Sequence, residues 1–278
     1  MSVLAVAKKD FLDVRRAKSV WVVSGLYMLL VAFLFYFGQN GPTDPNVIYQ
    51  LSTLTTVGTL FVPIVALMMV YLTIAGERES GSIRYLLSLP NTRRDIVIGK
   101  YLSRGAVGTG VILVAFGVGA VMTVLWYPSF EATVFGGIAG LTVLLTLAYV
   151  SVAIGISAAT GARSQAMTGA IGFYFVSNLL MISPNLSIVA ALEYVLNGRL
   201  GMGISDHLFE FIRMLSPTIA FRKSLPLVVP NDVTVFPANA DPSAPSYLTP
   251  EVAFTILVAW LVVPIAFGLW RFNRTDLD

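Results

Sequence analysis

Glu77, Arg78 and Glu79 stand together in the stretch GERESGSIRYLLSLPNTRRDIVIGKYLSR, residues 76–104, the densest collection of charge in the chain. Gly76 and Gly81-Ser82 at this spacing echo a phosphate-binding loop. The Lys that would reach the phosphates is missing, and two carboxylates would repel an anion. Nucleophilic and metal chemistry find no better footing. There are no cysteines and a single histidine, His207, so thiolate or imidazole metal clusters and a Ser-His-Asp triad have no material to form from. Neither a G-x-S-x-G elbow nor an H-E-x-x-H pair occurs. The expectation is a protein without catalytic residues, bound metal or cofactor, and without a nucleic-acid partner.

The elements that would position residues 76–104 are apolar. Of the 278 residues 56% are hydrophobic and 12% charged, and the mean hydropathy is +0.79. Soluble domains carry about 25% charge. The apolar residues fall in runs long enough to cross a hydrocarbon core of about 30 Å, which takes about 20 helical residues. Six spans are expected, at 19–38, 53–75, 105–126, 132–158, 166–183 and 252–270, the fifth being the shortest. By these boundaries none contains Asp, Glu, Lys or Arg. Proton- or ion-coupled carriers keep ionisable groups at depth, so the energy for any transport should come from elsewhere. Gly105, Gly108, Gly110, Gly117 and Gly119 mark the third span for close packing. Gly136, Gly137 and Gly140 do the same on the fourth, where Gly136 and Gly140 have small-xxx-small spacing.

Residues 1–18 precede the first span. Leu4, Ala7, Phe11 and Val14 recur at helical spacing, with Lys8, Lys9, Asp13, Arg15 and Arg16 mostly off that stripe, as in a basic amphipathic helix lying in a membrane interface. Two aspartates, a long following run and the lack of a small-residue cleavage site argue against a signal peptide. Fourteen of the eighteen Lys and Arg residues fall before the first span, between the second and third, after the fourth and in the tail. Such alternation places both termini and residues 76–104 in the cytoplasm. The remaining four, Arg199, Arg213, Arg222 and Lys223, lie in a long extracytoplasmic segment, 184–251. There LSIVAALEYVL and SDHLFEFIRML read as short helices on or dipping into the outer leaflet. Polar side chains within the spans, such as Thr142, Thr146, Ser177 and Asn178, suit interhelical hydrogen bonding better than a polar path.

Within 76–104, Ile83, Leu86 and Leu87 share one side of a short helix, and Pro90-Asn91-Thr92 is a turn with Thr92 an N-cap for the helix that follows. The residues by themselves leave two readings open: a basic loop anchored to headgroups, or a surface that docks a cytoplasmic protein.

Gly76 to Lys100 resembles the segment after the second span of ABC-2-type permeases, where a pattern near ERE.GS...LLSLP.SR..I..GK recurs. The likeness is nearest to the NosY-like group and extends over nearly the whole chain. The SPTIAF stretch at 216–221 is similar, more weakly, to the loop before the last span of such permeases. The resemblance implies an all-α integral membrane fold of six helices in one transmembrane domain. Its parts would be an interfacial helix (1–18), a first pair of spans (19–75), a coupling helix (76–104), three more spans (105–183), the outer loop (184–251) and the last span with a cytoplasmic tail (252–278). It further implies an exporter subunit in a prokaryotic cell membrane, working with two copies of a separate ATP-binding subunit and a second permease copy, most simply a homodimer. By this likeness Glu77, Arg78, Glu79 and Gly81 would meet the ATPase, flanked by Arg93, Arg94 and Asp95. An ATP-independent channel or carrier, or a membrane scaffold, would be the alternative functions.

Overall fold

The computed structural model describes residues 3–39, 46–88, 91–179, 187–230 and 245–275, and every regular element among them is helical. In chain order these are α1 (Val3–Arg16), α2 (Lys18–Gln39), α3 (Val47–Val70), α4 (Ala75–Glu79), α5 (Ile83–Ser88), α6 (Arg93–Trp126) and α7 (Ala132–Ala159). Then come α8 (Arg163–Tyr174), α9 (Ile188–Glu193), α10 (Asp206–Met214), α11 (Pro217–Ser224), α12 (Pro250–Ala259) and α13 (Val263–Asn273). π-helical turns extend α8 through Leu179 and α9 through Arg199.

Among the described residues five stretches are long and apolar enough to cross a membrane: Val20–Gln39, Val47–Glu79, Arg93–Trp126, Ala132–Ala159 and Pro250–Asn273. The third begins twelve residues before the expected span, because Thr92 caps α6 and the helix runs without interruption from Arg93. Of the expected fifth span, 166–179 is helical and 180–183 lies outside the described residues. The last stretch is broken at 260–262. Pro264 explains the break, since its ring would meet the carbonyl four residues back, at Trp260.

In a bilayer, lipid is as apolar as leucine, so helices associate by close packing and polar contacts rather than by escape from water. α7 is the centre of this packing. Within its most apolar stretch 72% of residues are buried, against 17% for the last stretch, and α3, α6, α8, α11, α12 and α13 all pack on it. At Gly155 and Gly268 the backbones of α7 and α13 touch: a Cβ on Gly155 would lie 2.4 Å from the Pro264 carbonyl oxygen, so no side chain fits. Gly105 and Gly108 receive Leu147 and Thr146 of α7 as the packing reading requires, and Gly119 lies near Phe35 and Phe135. Gly110, Gly117, Gly136 and Gly140 face open space. The small-xxx-small pair is therefore not used for packing among the described residues.

The segment before the last stretch does not sit on the rim. Tyr149 lies seventeen residues from Ala132, about 25 Å along α7 at ~1.5 Å per residue. Its hydroxyl is 2.7 Å from Thr218 Oγ1 and 3.2 Å from Ser177 Oγ. The Asn178 amide donates to that hydroxyl at 2.8 Å and accepts from Thr218 at 2.6 Å. Ser216 Oγ donates to the Ser177 carbonyl at 2.5 Å. Further along, Val228 lies against Gly137, so the chain from Thr218 to Val228 follows α7 back toward Ala132. Trp260 Nε1–H, at the break in the last stretch, donates to the Leu215 carbonyl at 2.9 Å. α10 and α11 thus reach halfway down the helical stack. This buried network also assigns Ser177 and Asn178 to interhelical bonding.

Candidate functional site

The 76–104 segment is held in shape by bonds that cross large sequence distances. α3 ends in a turn over 71–74, and there the hydroxyl of Ser157, on α7, accepts the N–H groups of Ile74 and Ala75 at 2.9 Å each. Those are orphan donors at the start of α4, and a buried orphan N–H costs about 1–3 kcal/mol. α4 runs only to Glu79. Gly81 follows with φ of 74°, a left-handed conformation that a side chain would strain. The chain then turns into α5, where Ile83 is 2% exposed, Leu87 packs against the core and Tyr85 is 80% exposed. The Leu86 side chain, Leu89 and Pro90 lie outside the described residues. Thr92 and Asp95 form a reciprocal capping box, the Asp95 N–H donating to Thr92 Oγ1 at 3.1 Å and the Thr92 N–H to Asp95 Oδ2 at 2.9 Å.

The seven charged or special residues singled out from the sequence divide into two groups. Most turn inward. Glu77 accepts from Lys100 Nζ at 2.8 Å, and its second carboxylate oxygen is buried without a hydrogen bond. Arg78 Nη1 donates to the carbonyl of Thr160 at 2.7 Å and to that of Ala158 at 3.4 Å, closing the C-terminus of α7, and its guanidinium stands 5.7 Å over the Phe272 ring. Arg93 does the same for α13, bonding the carbonyls of Phe272 and Thr275 and covering the same ring at 5.0 Å. Cations at carbonyl ends of helices are favourable by charge and hydrogen bonding together. Asp95 is engaged in its capping box. Glu79 is more open: it accepts the Arg163 N–H and pairs with the Arg163 side chain at 3.7 Å, with both side chains about half exposed. Arg94 is exposed, and with Arg84, Tyr85 and Ser88 it is among the groups presented outward.

Four residues that the sequence reading passed over complete the arrangement. Asp10 of α1 is 7% exposed and Lys100 of α6 is 3% exposed, and they pair at 3.3 Å. Arg104 reaches the same carboxylate through Nε at 3.0 Å and Nη2 at 3.2 Å, and Ser103 donates to it as well. Burial by itself would push the Asp10 carboxyl up; Lys100, Arg104 and the Ser103 hydroxyl outweigh it and hold it below the ordinary aspartate value. Two carboxylates and two cations from three separate segments make one balanced cluster. A signal was present. Val6, Asp10 and Val14 fall on one side of α1, and all three are buried, whereas Leu4 and Phe11 of the expected apolar stripe face outward. Gly99, which has Val6 within contact distance, lets α1 lie close to α6.

No part of this arrangement is a catalytic constellation. Its chemistry is positional: a short exposed helix and turn, tied by buried charge to α1, α3 and α6. Comparison with known proteins agrees with a membrane protein built for transport. The profile of ABC-2 family transporter proteins matches residues 4–277. The chain is 29% identical over 230 residues to the "Probable ABC transporter permease protein NosY" of Pseudomonas aeruginosa, covering 79% of this chain and 80% of that protein. To the protein of the same description from Stutzerimonas stutzeri it is 25% identical over 226 residues, 78% of each. The chain belongs to the ABC-2 family: it is a multi-pass membrane subunit of the ABC transporter permease type, a class that works with an ATP-binding subunit.

Proposed function

We propose that this chain is the permease subunit of an exporter, spanning a prokaryotic cell membrane six times with both termini and residues 76–104 in the cytoplasm. The fifth span expected at 166–183 completes the six crossings, and a second copy of the chain completes the membrane unit above two ATP-binding subunits. The alternation of basic residues supports this orientation.

The carrying observation is the Asp10–Lys100–Glu77 cluster with Arg104. The ATPase grips α4 and α5 from below, and closure of the ATPase pair around ATP pushes on that knob. Glu79, Arg84, Tyr85 and Arg94 form the gripped face. Glu77, Arg78 and Arg93 hold the knob's shape from inside, Asp95 closes the cap of α6, and Gly81 supplies the turn. Because Glu77 is bonded to Lys100, and Lys100 to Asp10, the push reaches α1, α3 and α6 as a unit. Two conformers separated by a few kcal/mol suffice for switching.

The test is co-purification with the ATP-binding subunit and measurement of its ATP hydrolysis with and without the permease in vesicles. Tyr85→Ala and Glu79→Lys should weaken association, while Glu77→Gln should leave association intact and abolish the permease's effect on hydrolysis. A permease that neither binds the ATPase nor changes its turnover ends the proposal, and so does cargo flux through vesicles holding this chain alone.

A further inference from the structure

The expected spans carry no charge, yet the structure brings charge alongside them. α9, α10 and α11 enclose a cleft of about 510 Å³ bounded by Glu193, Asp206, Glu210, Arg213, Arg222 and Lys223. The opposite side of α11 is buried: Thr218 and Ser224 are fully covered and Phe221 is 1% exposed. Arg222 lies one turn beyond Thr218, hence about 6 Å from the level of Tyr149 toward that of Gly137. Charges at such depth each cost about 2.5–3.5 kcal/mol unless they reach water or a counter-charge.

Two pairs meet that requirement within the cleft, Lys223 with Glu210 and Arg213 with Glu193 at 3.7 Å. They leave one guanidinium and one carboxylate without an ion pair among the described residues. Arg222 has no ion-pair partner among the described residues, and Arg213 Nε is buried with no hydrogen bond. The acceptors of Glu193 and Glu210 already face cations, and Asp206 stands at the first residue of α10 without an ion pair. A guanidinium presents planar N–H pairs that match the two oxygens of a carboxylate, sulfonate or phosphate. One half-buried guanidinium without a counter-ion, beside a second N–H without an acceptor, is a receptor for such a group.

We propose that this cleft binds an oxyanionic group, with Arg222 as its principal donor, Arg213 Nε–H as the second, and Asp206 weakening the attraction from the rim. The group is carried by a free anion or by the headgroup of an acidic lipid; the chemistry at Arg222 is common to both.

Two measurements on the full chain separate the sources. In maltoside micelles, which contain no phosphate, inorganic phosphate and sulfate are titrated by calorimetry. In bilayer discs doped with phosphatidylglycerol, native mass spectrometry counts the lipid retained. At least one probe is expected to bind the wild type, Arg222→Gln to weaken it about tenfold or more, and Asp206→Asn to tighten it about threefold. Binding in the first arm alone assigns a free anion, and in the second alone a headgroup. Absence of binding in both arms, or equal binding by Arg222→Gln, overturns the proposal. Should Arg222→Gln fail to accumulate, Asp206→Asn decides, and unchanged binding by that variant overturns it equally.

Discussion

The two ends of the helical stack use the same residue types differently. Around Asp10, every cation has a carboxylate and every carboxylate a cation, the side chains of Asp10 and Lys100 being 9% and 4% exposed. Around Arg222, the pairs are more open, their side chains about 40% exposed, and one guanidinium and one carboxylate have no ion pair among the described residues. Balance with burial makes a rigid joint. Unpaired groups beside a cleft leave room for something from outside. Burial and the count of partners, not the number of charges, distinguish a strut from a receptor.

Removing Asp10 breaks the comparison most directly. Asp10→Asn strands Arg104 and leaves Lys100 with Glu77 alone, and the loss of one partner from a buried pair costs about 3–5 kcal/mol. The Tm in detergent should fall sharply. The matching change at the open end, Glu193→Gln, should cost less than about 1 kcal/mol. Equal effects would erase the distinction between the two ends. Glu77→Gln sharpens it. Its carboxylate keeps one bond to Lys100 and has one oxygen free of any, so the stability loss should be near 1.5–3 kcal/mol, with the larger change in the permease's control of ATP hydrolysis. Acid adds a third contrast. The Asp10 carboxyl sits below the ordinary value of about 3.9, so its contribution is complete above that value and is lost only as pH falls through the lower folded-state value. The protection factors of the α1 amides should therefore be unchanged down to pH of about 5 and fall in stronger acid. In Asp10→Asn that acid step should vanish. The smallest effect is expected for Lys223→Met, within about 1 kcal/mol in stability, because Glu210 can turn to water.

Much of this architecture was legible in the residues. The apolar runs announced the membrane helices, and Thr92 announced the cap of α6. The pattern in 76–100 led to the family that the profile match bears out. What escaped was the direction of side chains. Glu77 and Glu79 are two residues apart and chemically alike, yet one faces Lys100 and the other Arg163. Likewise, Ser216 and Thr218 were read within an outer loop and lie beside Tyr149.

The sequence by itself therefore determined where helices run, where they start and stop, and which solvent they need, because capping, turns and hydrophobic runs are decided within about a helix length of chain. Only the tertiary structure decided that Asp10 is buried against residues ninety positions away, and that Arg222 and Asp206 line one cleft with no ion pair among the described residues. Burying a charge is unfavourable until a distant helix brings the counter-charge, and no local pattern records whether that helix arrives.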